Sequence, residues 1–124
     1  MNTAIIMLGS NVDTDNNLEL AKEKLLLQFE IVKESSTISS KPFGKNYTAY
    51  FYNKAIKLLS DETKEETISI FKNIEVEMGR TSKSKESGMI PIDIDLIFWN
   101  DIQAHTDYDH FDFVRRCVNE IRSI

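Results

Sequence analysis

The sequence holds a single cysteine, Cys117, so no internal disulfide can form and a reducing compartment is the expectation. That thiol reads as a packed or idle side chain. No apolar run approaches membrane-spanning length. The opening stretch from Met1 to Leu8 is apolar but breaks at Gly9, too short and too uncharged at its head for a signal peptide, so the expected location is cytoplasmic. Positive charge is also scarce. Fifteen basic residues face twenty acidic ones, a net charge of −5, which argues against non-specific nucleic-acid binding and against docking on an anionic membrane. An anionic ligand would need local help from a bound divalent cation or a few clustered basic residues. Neither repeats nor a linker are visible. With 41% hydrophobic and 28% charged residues, disorder, collagen and disulfide-scaffold readings lose their support, and 124 residues suit one domain, expected to be monomeric.

Residues Thr3 to Leu8 form a continuous apolar run ended by Gly9-Ser10-Asn11, the pattern of a strand buried on both faces and central in a sheet. Polar residues 13–17 then offer caps for an amphipathic helix carrying Leu18, Ala21, Leu25 and Phe29. Ile31 to Ile38 reads as a second strand, closed by the turn Lys41-Pro42-Phe43-Gly44. Tyr47 to Leu59 reads as a third, antiparallel to it. A second helix is expected from a cap at Asp61 to a stop at Gly79, with Ile68, Phe71, Ile74 and Met78 as its buried stripe. Residues 81–88 hold no large apolar side chain and read as a mobile surface loop. Ile92 to Trp99 is the fourth strand; residues 100–110 look irregular, and Phe111 to Ile124 carries a weak helical pattern. The order implies an α+β, ferredoxin-like βαββαβ fold: an antiparallel sheet with two helices in a core over residues 1–100, and a C-terminal extension over 101–124 ending in a short helix.

Three features break the pattern of the element they occupy. In Ile92-Asp93-Ile94-Asp95-Leu96-Ile97, strand alternation puts Asp93 and Asp95 on one face roughly 7 Å apart, while Ile92, Ile94 and Leu96 pack on the other. Enclosed, such a pair calls for a divalent cation, and hard oxygen ligands suit Mg²⁺; a solvated strand face is the bland alternative. Ile97 and Trp99 continue the aspartate face and favour a cleft. Glu75 borders the apolar stripe of its helix, where it either serves a site or pairs with Arg80 just beyond. Around Asn53 lie Phe43, Tyr47, Tyr50, Phe51 and Tyr52. Aromatics there could sandwich a flat heterocycle while the carboxamide reads its edge, though core packing explains most such residues.

Taken together these pieces resemble the 6-hydroxymethyl-7,8-dihydropterin pyrophosphokinase family. The marks are Leu8-Gly9-Ser10-Asn11, Asn17-Leu18, Pro42-Phe43-Gly44, Phe51-Tyr52-Asn53, Ile74-Glu75, Gly79-Arg80 and Asp93-Ile94-Asp95, which carry the similarity from Ala4 to about Trp99. The resemblance implies pyrophosphate transfer from ATP to the pterin hydroxymethyl group in folate biosynthesis. It implies two Mg²⁺ ions on Asp93 and Asp95, and a pterin pocket at Gly9, Phe43, Phe51 and Asn53. Glu75 and Arg80 match positions on the nucleotide side, with Arg80 also beside the catalytic pair. Small molecules, not nucleic acid or membrane, are the implied partners.

Departures gather on the ATP side. Where the family's loop ends in Trp-Gly-Pro-Arg, this chain has Ser87, Gly88, Met89 and Ile90, and Glu86 replaces a basic residue. After the aspartates the family carries a His and an Arg for ATP and a Phe for the pterin; residues 107–116 read as losing that spacing, and the chain as ending early. Lys83, Lys85, Arg115 and Arg116, with His110, are the candidate substitutes for ATP binding. Lys lacks the bidentate fork of Arg, so a weaker grip on ATP is expected. The alternative is an impaired relative acting as a pterin- or nucleotide-binding module. A ferredoxin-like RNA-binding module fits poorly with net acidity and paired strand aspartates.

Overall fold

A computed structural model describes residues 1–42, 49–81 and 83–122, with the side chain of Lys85 outside the description. Strand β1 (Asn2–Ser10) lies at the centre of a six-stranded antiparallel sheet, between β4 (Phe51–Ser60) and β5 (Asp93–Trp99). Strands β2 (Glu30–Glu34) and β3 (Ile38–Ser40) both pair with β4, and β6 (Ile102–Gln103) extends the other edge beyond β5. A central strand covered on both faces must be apolar at every position. Accordingly, residues 4 to 10 are all buried.

Helices α1 (Thr14–Leu26) and α2 (Lys64–Glu77) cover one face of the sheet, where Leu18, Leu25, Phe71 and Ile74 meet Ile6, Leu8, Ile56 and Ile94. On the other face lies α5 (Asp112–Arg122), which presses Val114, Cys117, Val118 and Ile121 onto Ile5, Met7, Ala55 and Ile97. The C-terminal helical pattern is therefore stronger than it reads. Its apolar positions keep spacings of three and four, and between them stand exposed charged and polar residues that dilute the average.

Several boundaries depart from the sequence reading. Gly9 and Ser10 stay in β1, because Gly9 pairs with Asn53 on one side and Asp93 on the other. The stretch 31–38 is two strands, broken where Ser35 Oγ accepts the Ala55 N–H at 2.8 Å and the Ser35 N–H reaches Ala55 O at 2.9 Å. Tyr47 lies outside the described residues, and β4 begins at Phe51. The cap of α2 is Thr63, not Asp61: its hydroxyl accepts the Glu66 N–H at 3.1 Å and donates to the Glu66 carboxylate at 3.1 Å.

The expected mobile loop at 81–88 contains a short helix, α3 (Ser84–Ser87), and is tied down at its end. Asn11 donates to Gly88 O and accepts the Ile90 N–H, both at 2.7 Å, which fixes the chain where it enters β5. Residues 100–110, expected to be irregular, contain β6 and α4 (Asp107–His110). No helix among the described residues is long and apolar enough to cross a membrane.

Candidate active site

Strand β5 changes phase halfway along. Its register against β1 shifts between Ile5 and Ile6, so that Ile94 and Leu96 pack under α1 and α2, while Ile97 and Phe98 both turn toward α5. Asp93, Asp95 and Ile97 therefore share the α5 face as the alternation requires. Trp99 does not: it joins the opposite core, which corrects the expectation that it continues the aspartate face.

Between that face and the start of α5 lies a cavity of about 530 Å³. Its β5 side carries Asp93 and Asp95, with Arg80 and Asp107; its β4 side carries Phe51 and Asn53, with Ser40 of β3, and Gly9 lies between Asn53 and Asp93 on the sheet, with Phe111, Phe113 and Val114 as the wall contributed from the C-terminal segment. Sheet and helix supply both sides on rigid backbone.

The electrostatics of the acidic side are asymmetric. Burial opposes ionisation of Asp93, but hydrogen bonds from Asp95 and Arg80 outweigh it and hold its carboxyl below the usual range. The Arg80 Nη1–Asp93 Oδ1 contact is 2.5 Å. Asp95 is pushed up to about 8, first by burial and then by the charge of Asp93 beside it. The pair thus holds one proton near neutral pH. A donor set made only of carboxylate oxygens, short of counter-charge and open to a cavity, fits a hard divalent cation, which would take the place of that proton.

Glu75 stands behind the pair and not in the cavity. It is 5% exposed, and its Oε2 accepts the Ile94 N–H at 2.7 Å while lying 3.4 Å from Arg80 and 3.3 Å from Lys72. Its place is under the peptide that joins the two aspartates. Arg80 also donates to Ile92 O at 3.3 Å, so the guanidinium grips both the strand and Asp93.

Beside Asp93 on the sheet, an added Cβ on Gly9 would lie 3.2 Å from Asn53 Oδ1, so the close approach of β1 to this side chain requires glycine or a yielding neighbour. Asn53 donates through Nδ2 to Ile38 O at 3.0 Å and Ser40 Oγ at 2.9 Å. Both of its N–H bonds go to β3, leaving Oδ1 as the atom presented toward the cavity. Phe51 lines the same side. Phe43 lies outside the described residues.

Of the expected basic substitutes whose side chains are described, Lys83, Arg115, Arg116 and His110, none lines the cavity. Lys83 is exposed and Arg116 is exposed, neither on the cavity wall, and His110 is exposed on α4. Arg115 donates to Tyr108 O at 3.0 Å and Asp109 O at 2.8 Å, which ties α5 to the end of α4. Ile90, at the end of the departed loop motif, is buried at 2% exposure and lines the cavity as an apolar surface. The residues that sequence reasoning missed are Asp107, Phe111 and Phe113. The signal available was the phase of α5: a helix carrying Val114, Cys117, Val118 and Ile121 inward also brings the residues at its start over the sheet.

Comparison with known proteins bears on the whole chain. Residues 5–123 match the family model for 7,8-dihydro-6-hydroxymethylpterin-pyrophosphokinase (HPPK), so the segment beyond Trp99, which read as losing the family pattern, lies within the match. Over 102 residues the chain is 34% identical to the 2-amino-4-hydroxy-6-hydroxymethyldihydropteridine pyrophosphokinase of Aquifex aeolicus, covering 82% of this chain and 63% of that protein. Over 99 residues it is 30% identical to the folate synthesis bifunctional protein of Arabidopsis thaliana, covering 77% of this chain and 20% of that one. It therefore spans less than two thirds of either relative. The crystal structure of Plasmodium falciparum HPPK-DHPS with pteroate superposes at a TM-score of 0.59 and 16% identity, over 97% of this chain and 36% of that one, a likeness of fold. With the family match running from β1 into the last turn of α5, the chain belongs to the 7,8-dihydro-6-hydroxymethylpterin-pyrophosphokinase family.

Proposed function

We propose that this chain catalyses Mg²⁺-dependent transfer of pyrophosphate from ATP to 6-hydroxymethyl-7,8-dihydropterin. The observation that carries the reading is one cavity with two unlike sides: a carboxylate pair on β5, and an aromatic ring and an oriented carboxamide on β4, with Gly9 of β1 between them. The first suits metal-bound phosphates and the second a flat, polar-edged ring.

In the transfer, the hydroxymethyl oxygen bonds to the β-phosphorus, the bond from that phosphorus to the α–β bridging oxygen breaks, and AMP leaves while the hydroxyl proton is lost to water. Bound Mg²⁺, two ions on the family resemblance, would neutralise phosphate charge at the reacting phosphorus. Asp93 and Asp95 would hold it. Arg80 keeps Asp93 ionised and aimed, and Glu75 fixes the backbone between the two carboxylates. Asn53 Oδ1 would accept from the pterin edge while Phe51 packs beside the ring. Phe111, Phe113 and Val114 exclude water from one side of the cavity. No covalent nucleophile is needed, since positioning and charge neutralisation supply the rate.

The test is AMP formation from ATP, Mg²⁺ and the hydroxymethyl pterin, run beside the Asp93→Ala, Asp95→Ala double variant. Turnover in the parent and its loss in the variant is the expected result. No AMP from the parent would overturn the activity, and equal turnover in the variant would overturn the metal assignment.

A further inference from the structure

Helix α4 is four residues long and none of its side chains is buried, so neither its own hydrogen bonds nor core burial explains why it keeps one place. Yet it carries Asp107 and leads into Phe111, and both line the cavity. Apart from bonds to the turn before it, through Gln103 and His105, its ties run to α5 and to Phe98.

The ties from α5 form a stripe. Arg115, Asn119 and Arg122 stand four and three residues apart on one face, beside the apolar stripe that meets the sheet. Arg115 holds Tyr108 O and Asp109 O. The Tyr108 hydroxyl donates to Asn119 Oδ1 at 2.8 Å and accepts from Arg122 Nη1 at 3.4 Å. The Arg122 guanidinium lies 4.0 Å from the centroid of the Phe98 ring and 5.7 Å from that of Tyr108, and the two rings meet edge to face at 5.0 Å. Tyr108 is thus held at its backbone, its ring and its hydroxyl.

We propose that Tyr108 is a positioning residue for the pterin side of the cavity. The inference rests on the function proposed above, in which the pterin is the acceptor. Tyr108 does not itself line the cavity and acts through Phe111. The Phe111 N–H bonds to Asp107 O at 3.0 Å and Phe111 O accepts the Val114 N–H at 3.2 Å, which makes this residue the joint between α4 and α5. Its ring stands 5.6 Å from that of Phe113, so the two move as one wall. Freeing Tyr108 lets α4 swing, turns the joint and opens that wall to water. The nucleotide side depends less on the clamp, because Asp93 and Asp95 stand on β5 and Arg80 just beyond α2.

Calorimetry on the parent, Tyr108→Phe and Tyr108→Ala tests this. It measures binding of a non-hydrolysable ATP analogue with Mg²⁺, then binding of the hydroxymethyl pterin to that complex, with unfolding midpoints as the check on folding. Pterin affinity should fall about tenfold or more in Tyr108→Ala and about threefold in Tyr108→Phe, which keeps the ring, while affinity for the ATP analogue changes by about twofold or less. A merely structural role would lower the midpoint without that selectivity. Equal pterin affinity in the parent and Tyr108→Ala, or an equal loss for both ligands, would overturn the positioning role. Should Tyr108→Ala not fold, unchanged pterin affinity in Tyr108→Phe overturns it. A parent that binds the ATP analogue but no pterin would overturn the proposed acceptor, and this inference with it.

Discussion

Glu75 Oε2 accepts the backbone N–H of Ile94 at 2.7 Å, the residue that separates Asp93 from Asp95. A buried carboxylate on α2 thereby holds the peptide between two carboxylates that face the cavity. Replacing Glu75 with Ala removes the acceptor for a buried N–H and strips Arg80 and Lys72 of a partner, at a cost of about 1–3 kcal/mol. Glu75→Gln keeps an acceptor and should recover part of that. Urea unfolding together with Mg²⁺ affinity gives the check: Mg²⁺ binding should weaken in both variants, most in Ala. Unchanged Mg²⁺ binding in Glu75→Ala would mean the strand holds its shape unaided.

Gly9 should tolerate Ala in the fold and not in the pocket. Its Cβ would crowd Asn53 Oδ1 at 3.2 Å, a contact relieved only by moving the carboxamide that β3 holds in place. Folding free energy should change by about 1 kcal/mol or less, while pterin affinity falls and ATP affinity does not. Separate thermal-shift titrations with pterin and with ATP plus Mg²⁺ distinguish the two sides of the cavity.

Metal-free stability should decline as pH rises from 4 toward 8. A carboxyl whose folded pKa is raised, here Asp95 to about 8 from an ordinary 3.8, stabilises the folded state fully below the lower value. That contribution is lost, at about 1.4 kcal/mol per pH unit while the group binds a proton only in the folded state, as pH climbs to the upper value. Asp95→Asn cannot ionise, and its amide can still donate to Asp93. It should be more stable than the parent at pH 8 and indistinguishable from it near pH 4. Denaturation curves at the two pH values in the presence of a chelator decide this; a gap that stays constant with pH would remove Asp95 as its source.

The last helix should behave as core. Ile121 is fully buried against the sheet, so Ile121→Ala should cost about 2–5 kcal/mol. Chemical unfolding measures it. A loss under about 0.5 kcal/mol would show that α5 contributes little to the fold.

The elements that sequence reasoning located well are those with one dominant signal. β1 is apolar from Ala4 to Leu8 and proved central; α2 has a cap, acidic first turns and a clean stripe. The reading failed where two signals compete. Ser35 interrupts the second strand by bonding to Ala55 across the sheet, a partner twenty residues away that no local pattern announces. Asn11 does the same for the loop before β5. At the site, Asp93 and Asp95 were legible because charge on alternate strand positions is costly unless used. Phe111, Phe113 and Asp107 were not, because their place depends on α5 crossing the second face, a long-range arrangement hidden in a helix of mixed composition.

The phase change in β5 has a consequence for what insertions this family member can accept. Before it, odd-numbered residues face the cavity and even-numbered ones meet α1 and α2; after it, Phe98 belongs to the α5 side and Trp99 to the other. One added or deleted residue between Asp93 and the irregularity would turn a carboxylate inward against Leu8 and Ile56 and an isoleucine out to the cavity. The same length change beyond it would disturb only Phe98 and Trp99. The strand therefore has one half whose length is fixed by chemistry and another whose length is fixed by packing alone.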